Sequence, residues 1–408
     1  MSLSLSLPPA FRHRAFALFW GGRMVVTFAI QIVSVAVGWQ IYDLTHDPWD
    51  LGLVGLVQFV PSALLVLWTG AAADRFDRRG IMMLCVVVEM VAIGILLFLV
   101  MDGIGLLWPI YAALGVVGIA RAFFAPASQA LLPNLVPRED FASAIALSAS
   151  AWQLSSIVGP VTGGLLYGIS PTAAYGTALG LLVLGLVMFA GIIVAPRAAR
   201  IREAGWDSLV AGLRFIFAEK VVLGAISLDL FAVLLGGATA LLPAVARDIL
   251  DLGPWGLGLL RAAPGVGALV VAAWLAWRPL KNHVGALLFA YVALFGVATA
   301  VFGLSEIPWL SIVMLAAIGA TDMVSVSVRE TVLQLWTPDA MRGRVTAANM
   351  VFVGASNEIG EFRAGAMGSV IGVAPAIVVG GIGTVVVAGL WAWMFPALRK
   401  IQRFEERY

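Results

Sequence analysis

Long apolar runs alternate with short polar turns along almost the whole chain, and each run is close to the roughly 20 residues that a helix needs to cross a bilayer. The pattern predicts twelve spanning helices, at about 16–42, 51–73, 81–101, 105–127, 140–168, 172–195, 220–246, 255–277, 284–304, 307–335, 343–371 and 374–397. The fourth, fifth, tenth and eleventh extend into the polar layer at one membrane surface, which blurs their ends. Between the sixth and seventh lies one long polar segment, Pro196 to Glu219. Within it Trp206, Leu209, Val210, Leu213, Phe215, Ile216 and Phe217 form a partly amphipathic stretch, expected to lie on the inner surface. The first run, Phe16 to Leu44, is too long for a signal-peptide core and has no small-residue cleavage site, so it is expected to stay as a spanning helix.

Composition agrees with a multi-pass membrane protein. Of 408 residues, 61% are hydrophobic and 12% charged, and the mean hydropathy is +1.00. The single cysteine, Cys85, excludes an intrachain disulfide, and the three histidines (His13, His46 and His283) fall in predicted turns or termini. No histidine-based metal or catalytic centre is therefore expected in the membrane. The net charge of +2 gives no reason to expect nucleic acid as a partner, but the placement of the charges is informative.

With the N-terminus inside, the inner segments carry 19 of the 25 basic residues, from Arg12 and Arg14 through Arg197, Arg200 and Arg202 to Arg407. The outer turns hold Arg247 alone, with Asp43, Asp47, Asp50, Asp102, Asp248, Asp251 and Glu306. Basic residues favour the cytoplasmic side, so both termini are expected there. A missed or invented helix in mid-chain would destroy this alternation.

The chain also repeats. A shift of 201 maps Gly118 to Gly319, Leu132 to Leu333, Pro137 to Pro338, Ala146 to Ala347, Gly159 to Gly360 and Gly164 to Gly365. A shift of 203 maps Gly55 to Gly258 and Pro61 to Pro264. The expected organisation is an all-α membrane protein of two pseudo-symmetric six-helix halves, 1–196 and 220–408, the second ending in a cytoplasmic tail, with 197–219 as a cytoplasmic linker.

Between the second and third spans, Gly70 to Gly80 reads G-x-x-x-D-R-x-x-R-R, with Asp74, Arg75, Arg78 and Arg79 in a very short turn. Gly70 would allow close helix approach, Asp74 would accept hydrogen bonds from a neighbouring helix N-terminus, and the arginines would pair with carboxylates on adjacent helix ends. This turn resembles the signature loop of major facilitator superfamily transporters. Gly159, Pro160, Gly163 and Gly164 form a G-P-x-x-G-G bend resembling the superfamily's antiporter motif, although Ser155 replaces its preceding glycine. The stretches Arg121 to Asp140 and Leu333 to Val345 resemble the enterobactin-exporter-like, drug-efflux branch. Two departures stand out. The glutamine-glycine expected after the arginine of the fourth span is missing, and Trp277 stands where a second-half copy of Asp74 would be. The resemblance implies the major facilitator fold and secondary active export of a siderophore- or drug-like molecule from a bacterial inner or plasma membrane. It also implies a proton gradient as driving force, with no cofactor. A monomer is expected. Uptake of a small metabolite by the same fold is the alternative.

Five basic residues, Arg23, Arg121, Arg261, Arg329 and Arg363, and six acidic ones, Glu89, Asp229, Asp322, Glu330, Glu358 and Glu361, fall inside predicted spans. A charge at that depth costs several kcal/mol unless paired or facing water, so each is a functional candidate. Arg121 and Asp322 lie near the midplane at about 1.5 Å rise per residue, and they are counterparts under the 201 shift. Either lines a substrate cavity or takes part in proton coupling, or each is buried in a static pair. Asp322 and Glu358 are candidates for protonation linked to transport, against a salt bridge joining the tenth and eleventh spans. Arg329 follows Asp322 by seven residues on nearly the same face and, with Arg23 and Glu330, is expected near the inner mouth. In the eleventh span Glu361 and Arg363 replace the proline and threonine of the fifth, and they read as structural or gate-forming. Asp229 stays open between these roles. No nucleophile–base pair is present, and Gly354-Ala355-Ser356-Asn357-Glu358 supplies no hydrolase elbow, so an enzyme is not expected.

Overall fold

The computed structural model describes residues 8–193 and 206–404. Residues 197–205 of the expected linker, with Arg197, Arg200 and Arg202, and Arg407 of the tail lie outside the described residues. Twelve long helices follow one another: α1 Arg14–Thr45, α2 Pro48–Arg75, α3 Arg78–Met101, α4 Leu107–Leu131, α5 Phe141–Ile169, α6 Pro171–Ala190, α7 Lys220–Gly236, α8 Pro254–Trp277, α9 Val284–Leu304, α10 Pro308–Trp336, α11 Asp339–Ile371 and α12 Val373–Met394. Among the described residues, eleven segments are long and apolar enough to cross a membrane. The exception is α11, which has 33 residues but carries Glu358, Glu361 and Arg363 within its length.

Helix starts follow local chemistry. The Asp77 carboxylate accepts from the Gly80 N–H at 2.9 Å and caps α3. Ser170 accepts from the Ala173 N–H at 3.0 Å and caps α6, with Pro171 in the first turn. Exposed Trp49, Trp108, Trp255 and Trp309 sit at the N-terminal ends of α2, α4, α8 and α10, the placement expected of an interfacial aromatic belt.

One expected span is not continuous. α7 ends at Gly236, and the chain proceeds through a 3-10 turn at Thr239–Leu241, a single turn at Leu242–Ala244 and a π-helical turn at Val245–Ile249. Hydropathy cannot register this break, because the residues on both sides are equally apolar.

Two compact units emerge from the backbone contacts. One comprises Met1–Val37 and Val57–Glu203, the other Gly38–Leu56 and Ala204–Tyr408. In the first, α3 packs on α4 and α6, and α5 on α6. In the second, α9 packs on α10 and α12, and α11 on α12, the same scheme displaced by six helices. The second unit also takes in the end of α1 and the start of α2. The linker helix Trp206–Ala218 packs on α11, with Ile216 buried and Val210 and Phe217 exposed.

The repeated glycines make equivalent close approaches. A Cβ on Gly118 of α4 would overlap the backbone of Gln58 in α2, and one on Gly319 of α10 would overlap the Pro264 carbonyl in α8. Gly163 of α5 faces Ile32 of α1, while Gly360 of α11 faces Val233 and Leu234 of α7. Small residues set these helix separations, since lipid supplies no hydrophobic drive to bring helices together. Replacing Gly319 by Leu is therefore expected to destabilise by about 1–3 kcal/mol through overpacking. Gly180→Leu, where a Cβ meets nothing within 4 Å, should be near neutral. Thermal unfolding of the detergent-solubilised variants checks the contrast.

Candidate functional site

The turn between α2 and α3 acts through carbonyls. Arg78 donates to the Ala130 carbonyl at the end of α4 at 2.8 Å and to Ala73 at 3.1 Å. Arg79 donates to Phe189 and Ala190, at the end of α6, at 2.9 and 2.5 Å. Two guanidinium groups thus satisfy free carbonyls and complement the negative ends of two helices. This corrects the expected pairing with carboxylates. Asp74 makes no hydrogen bond among the described residues, and the capping carboxylate is Asp77 on its own helix. Arg75 is exposed, and a Cβ on Gly70 would meet no described atom within 4 Å, so the close approach expected there is not made.

The α5 motif forms a packing face. Gly159 lies against Gln31 and Gly163 against Ile32 and Val35 of α1, while Pro160 and Gly164 are buried. Ser155, in the motif's altered position, donates to the Met24 carbonyl at 3.3 Å.

In the first unit, Glu89 of α3 is 2% exposed, and its Oε2 has no hydrogen-bond partner. Arg121 of α4 is the charged group that acts on it. Arg121 itself is exposed and makes no hydrogen bond or ion pair among the described residues, and half-buried Arg23 likewise makes none.

The second unit holds the larger set. Asp229 of α7 and Arg329 of α10 form an ion pair with both side chains under 10% exposed. Arg329 Nη2 also lies 3.9 Å from Glu330, whose Oε1 accepts from Asn349 of α11 at 3.1 Å. Both acidic neighbours of Arg329 thus belong to its own unit. Asp322 lies two turns before Arg329 on α10. It lines a small pocket with Asp229, Ser325, Ala232, Val233, Val292 and Phe295, and has no hydrogen-bond partner among the described residues. Among the described residues Asp322 forms no bridge to α11, and Glu330 of α10 accepts from Asn349 of α11.

Glu358 lies elsewhere. Glu358 and Glu361, on one face of α11, both approach Gly55 of α2, where a Cβ would stand 2.7 and 3.5 Å from their Oε2 atoms. Arg261 of α8 is the opposing charge for Glu361 and packs near Gly38 of α1. Arg363 points away from this cluster and donates to the Leu235 carbonyl at 2.5 Å, at the broken end of α7. Asp322 thus shares a pocket with Asp229, the partner of Arg329, while Glu358 approaches Gly55. Sequence reasoning gave Arg261 no role, and it missed Tyr42 donating to Asp248 and the Arg247–Asp43 ion pair. The signal for the last was present: Arg247 is the lone basic residue in the predicted outer turns.

The profile of a family described as transmembrane secretion effector matches residues 5–406. The enterobactin exporter EntS of Citrobacter koseri is 29% identical over 405 residues, covering 96% of this chain and 94% of that protein. EntS of Escherichia coli O1:K1 is 29% identical with the same coverage. Among solved structures, a bacterial homologue of the human lysosomal transporter Spinster superposes with a TM-score of 0.74 at 13% identity, covering 97% of this chain and 99% of that one. The human organic anion transporter MFSD10 superposes with a TM-score of 0.66 at 16% identity, covering 94% and 100%. At these identities the structures establish the shared fold, and these relatives are transporters rather than enzymes.

Breaking the Asp229–Arg329 pair from one side should be costly. Arg329→Met leaves a buried carboxylate without its counter-charge and is expected to destabilise by about 3–5 kcal/mol. The double replacement Asp229→Leu with Arg329→Met should recover most of that loss, as a double-mutant cycle by thermal unfolding will show.

Proposed function

We propose, because this chain belongs to the transmembrane secretion effector family of the major facilitator superfamily, that it exports a siderophore- or drug-like small molecule in exchange for protons. The chain is a multi-pass membrane transporter. The finer reading places it in a bacterial inner membrane, with both termini cytoplasmic and the proton gradient as its energy source. The whole-length similarity to enterobactin exporters supports the direction and makes enterobactin the first compound to test.

The observation that carries proton coupling is Asp322. A carboxyl group at membrane depth, facing a small pocket without a hydrogen-bond partner among the described residues, has two states of different cost, and a proton converts one into the other. Its neighbour Asp229 is committed to Arg329, so a change of charge at Asp322 is felt by that pair across the pocket. Protonation at one step and release at another would then favour alternate members of an alternating-access cycle, by binding energy that differs between states. Glu358 is the second candidate, because it is an ionisable group at membrane depth that shares the Gly55 face with Glu361. Arg121 and Arg23, on the first unit, remain available to substrate.

Transport in proteoliposomes tests this reading. With an imposed pH gradient, Asp322→Asn and Glu358→Gln are each expected to lower enterobactin flux by about tenfold or more, a barrier increase of about 1.4 kcal/mol. Substrate counterflow without a gradient, and the thermal midpoint, should be retained. Gradient-driven flux at the wild-type rate in both amide variants would remove these residues from the coupling step.

A further inference from the structure

A helix that ends inside a bilayer leaves carbonyls without intrahelical donors, in a medium where each unsatisfied group costs several kcal/mol. α7 presents this problem. It has 17 residues from Lys220 to Gly236, and Gly237 departs from helical geometry with ψ of 119°. The cap Gly237 N–H closes the last helical bond, to Val233, at 2.9 Å, and Thr384 of α12 adds a donor to the Ala232 carbonyl at 3.0 Å. The Leu235 carbonyl accepts from Arg363 Nη2 at 2.5 Å, with the Gly237 carbonyl 3.5 Å from the same nitrogen.

The surroundings of that guanidinium are built for it. Its Nη1 rests 3.1 Å from the Met367 sulfur. A Cβ on Gly380 of α12 would stand 3.1 Å from Nη2 and overlap the Leu235 carbonyl. A Cβ on Gly360 would press on Val233 and Leu234, one turn before the break. No carboxylate lies within ion-pair distance of Arg363 among the described residues, so its positive charge is balanced by backbone dipoles at the negative end of a helix. Carbonyls at the end of a discontinuous membrane helix are a coordination site for small cations.

We propose that Arg363 is a tethered cation occupying such a site. It holds α7 broken at Gly236–Gly237 and makes the following segment, Ala238–Ile249, a separate arm. The arm ends in the π-helical turn whose Arg247 and Asp248 bind Asp43 and Tyr42 of α1. A pivot at the break therefore sets the position of the end of α1 as well. Because the chain supplies the cation, this site takes up no free sodium. The planar guanidinium sets Nη2 on the carbonyls while Nη1 rests on the Met367 sulfur, a spread that an ammonium, acting as a point charge, does not reproduce. Arg363 is a positioning residue, and its role does not depend on which molecule is transported.

Chemical rescue tests the assignment. In purified full-length Arg363→Ala, the thermal midpoint by tryptophan fluorescence is expected to fall by about 5 °C, a shift typical of one or two lost interactions. Guanidinium chloride at tens of millimolar should restore part of the loss, while sodium or choline chloride at the same concentration should not. The wild type, with its site filled, should show no such gain. Arg363→Lys should lie between the two. In an Ala238→Cys, Cys85→Ser background, thiol labelling should be faster with Arg363→Ala and slow again in guanidinium; labelling at the same rate with and without Arg363 would count against the pivot. If Arg363→Ala survives extraction only in guanidinium chloride, that is the expected result in stronger form. A midpoint unaffected by the substitution, rescue by sodium equal to that by guanidinium, or failure of extraction in both salts would each overturn the proposal.

Discussion

Hydrocarbon offers no partner to a charge or an open carbonyl, and this one constraint organises the C-terminal unit. Each intramembrane arginine there is directed at something specific. Arg329 meets Asp229, Arg261 opposes Glu361, and Arg363 meets the end of α7. Glycine makes the room. Gly55 admits two glutamates between α2 and α11, Gly380 admits the Arg363 guanidinium, and Gly360 lets α11 approach the backbone of α7. Charge and close packing are therefore one arrangement: a Cβ at Gly55 or Gly380 would displace a charged group or the carbonyl that receives it.

Internal repetition shows where chemistry has been added to a shared frame. The packing of α3 on α4 and α6 recurs as α9 on α10 and α12, and Gly118 and Gly319 make matching approaches. α5 and α11 are counterparts, yet they are put to different use. α5 presents Gly159, Pro160 and Gly163 as a smooth face toward α1. In α11 the positions of Pro160 and Thr162 carry Glu361 and Arg363, which serve two separate sites, one at Gly55 and one at the α7 break. A frame that needs only contact in one half thus holds ionisable groups in the other.

The helix count, the repeat, the family and the identity of the intramembrane charges were legible in the sequence, because hydropathy, charge alternation and glycine register are local or periodic signals. The partners were not. Asp229 and Arg329 are 100 residues apart, and nothing along the chain distinguishes that pair from one between Asp322 and α11. The break in α7 was equally hidden, since the Leu235 carbonyl is satisfied by a side chain from α11 and the residues flanking the break, 230–238, are all apolar. Gly70 fits the motif yet touches nothing described, while Arg78 and Arg79 bind carbonyls that any helix end supplies. A motif preserves residue types at fixed spacing; it does not say which backbone they will meet.

The central claim is that a carboxyl group in the second unit exchanges a proton as part of the transport cycle. Proton release on substrate binding measures this most directly. Enterobactin, or another compound first shown to bind by a thermal shift, would be added to the purified protein in weakly buffered solution containing a pH indicator. Linkage between proton and substrate predicts release of about one proton per molecule bound, by the reciprocity of binding free energies. Saturable binding with no proton released across the pH range in which the protein is active would contradict the account.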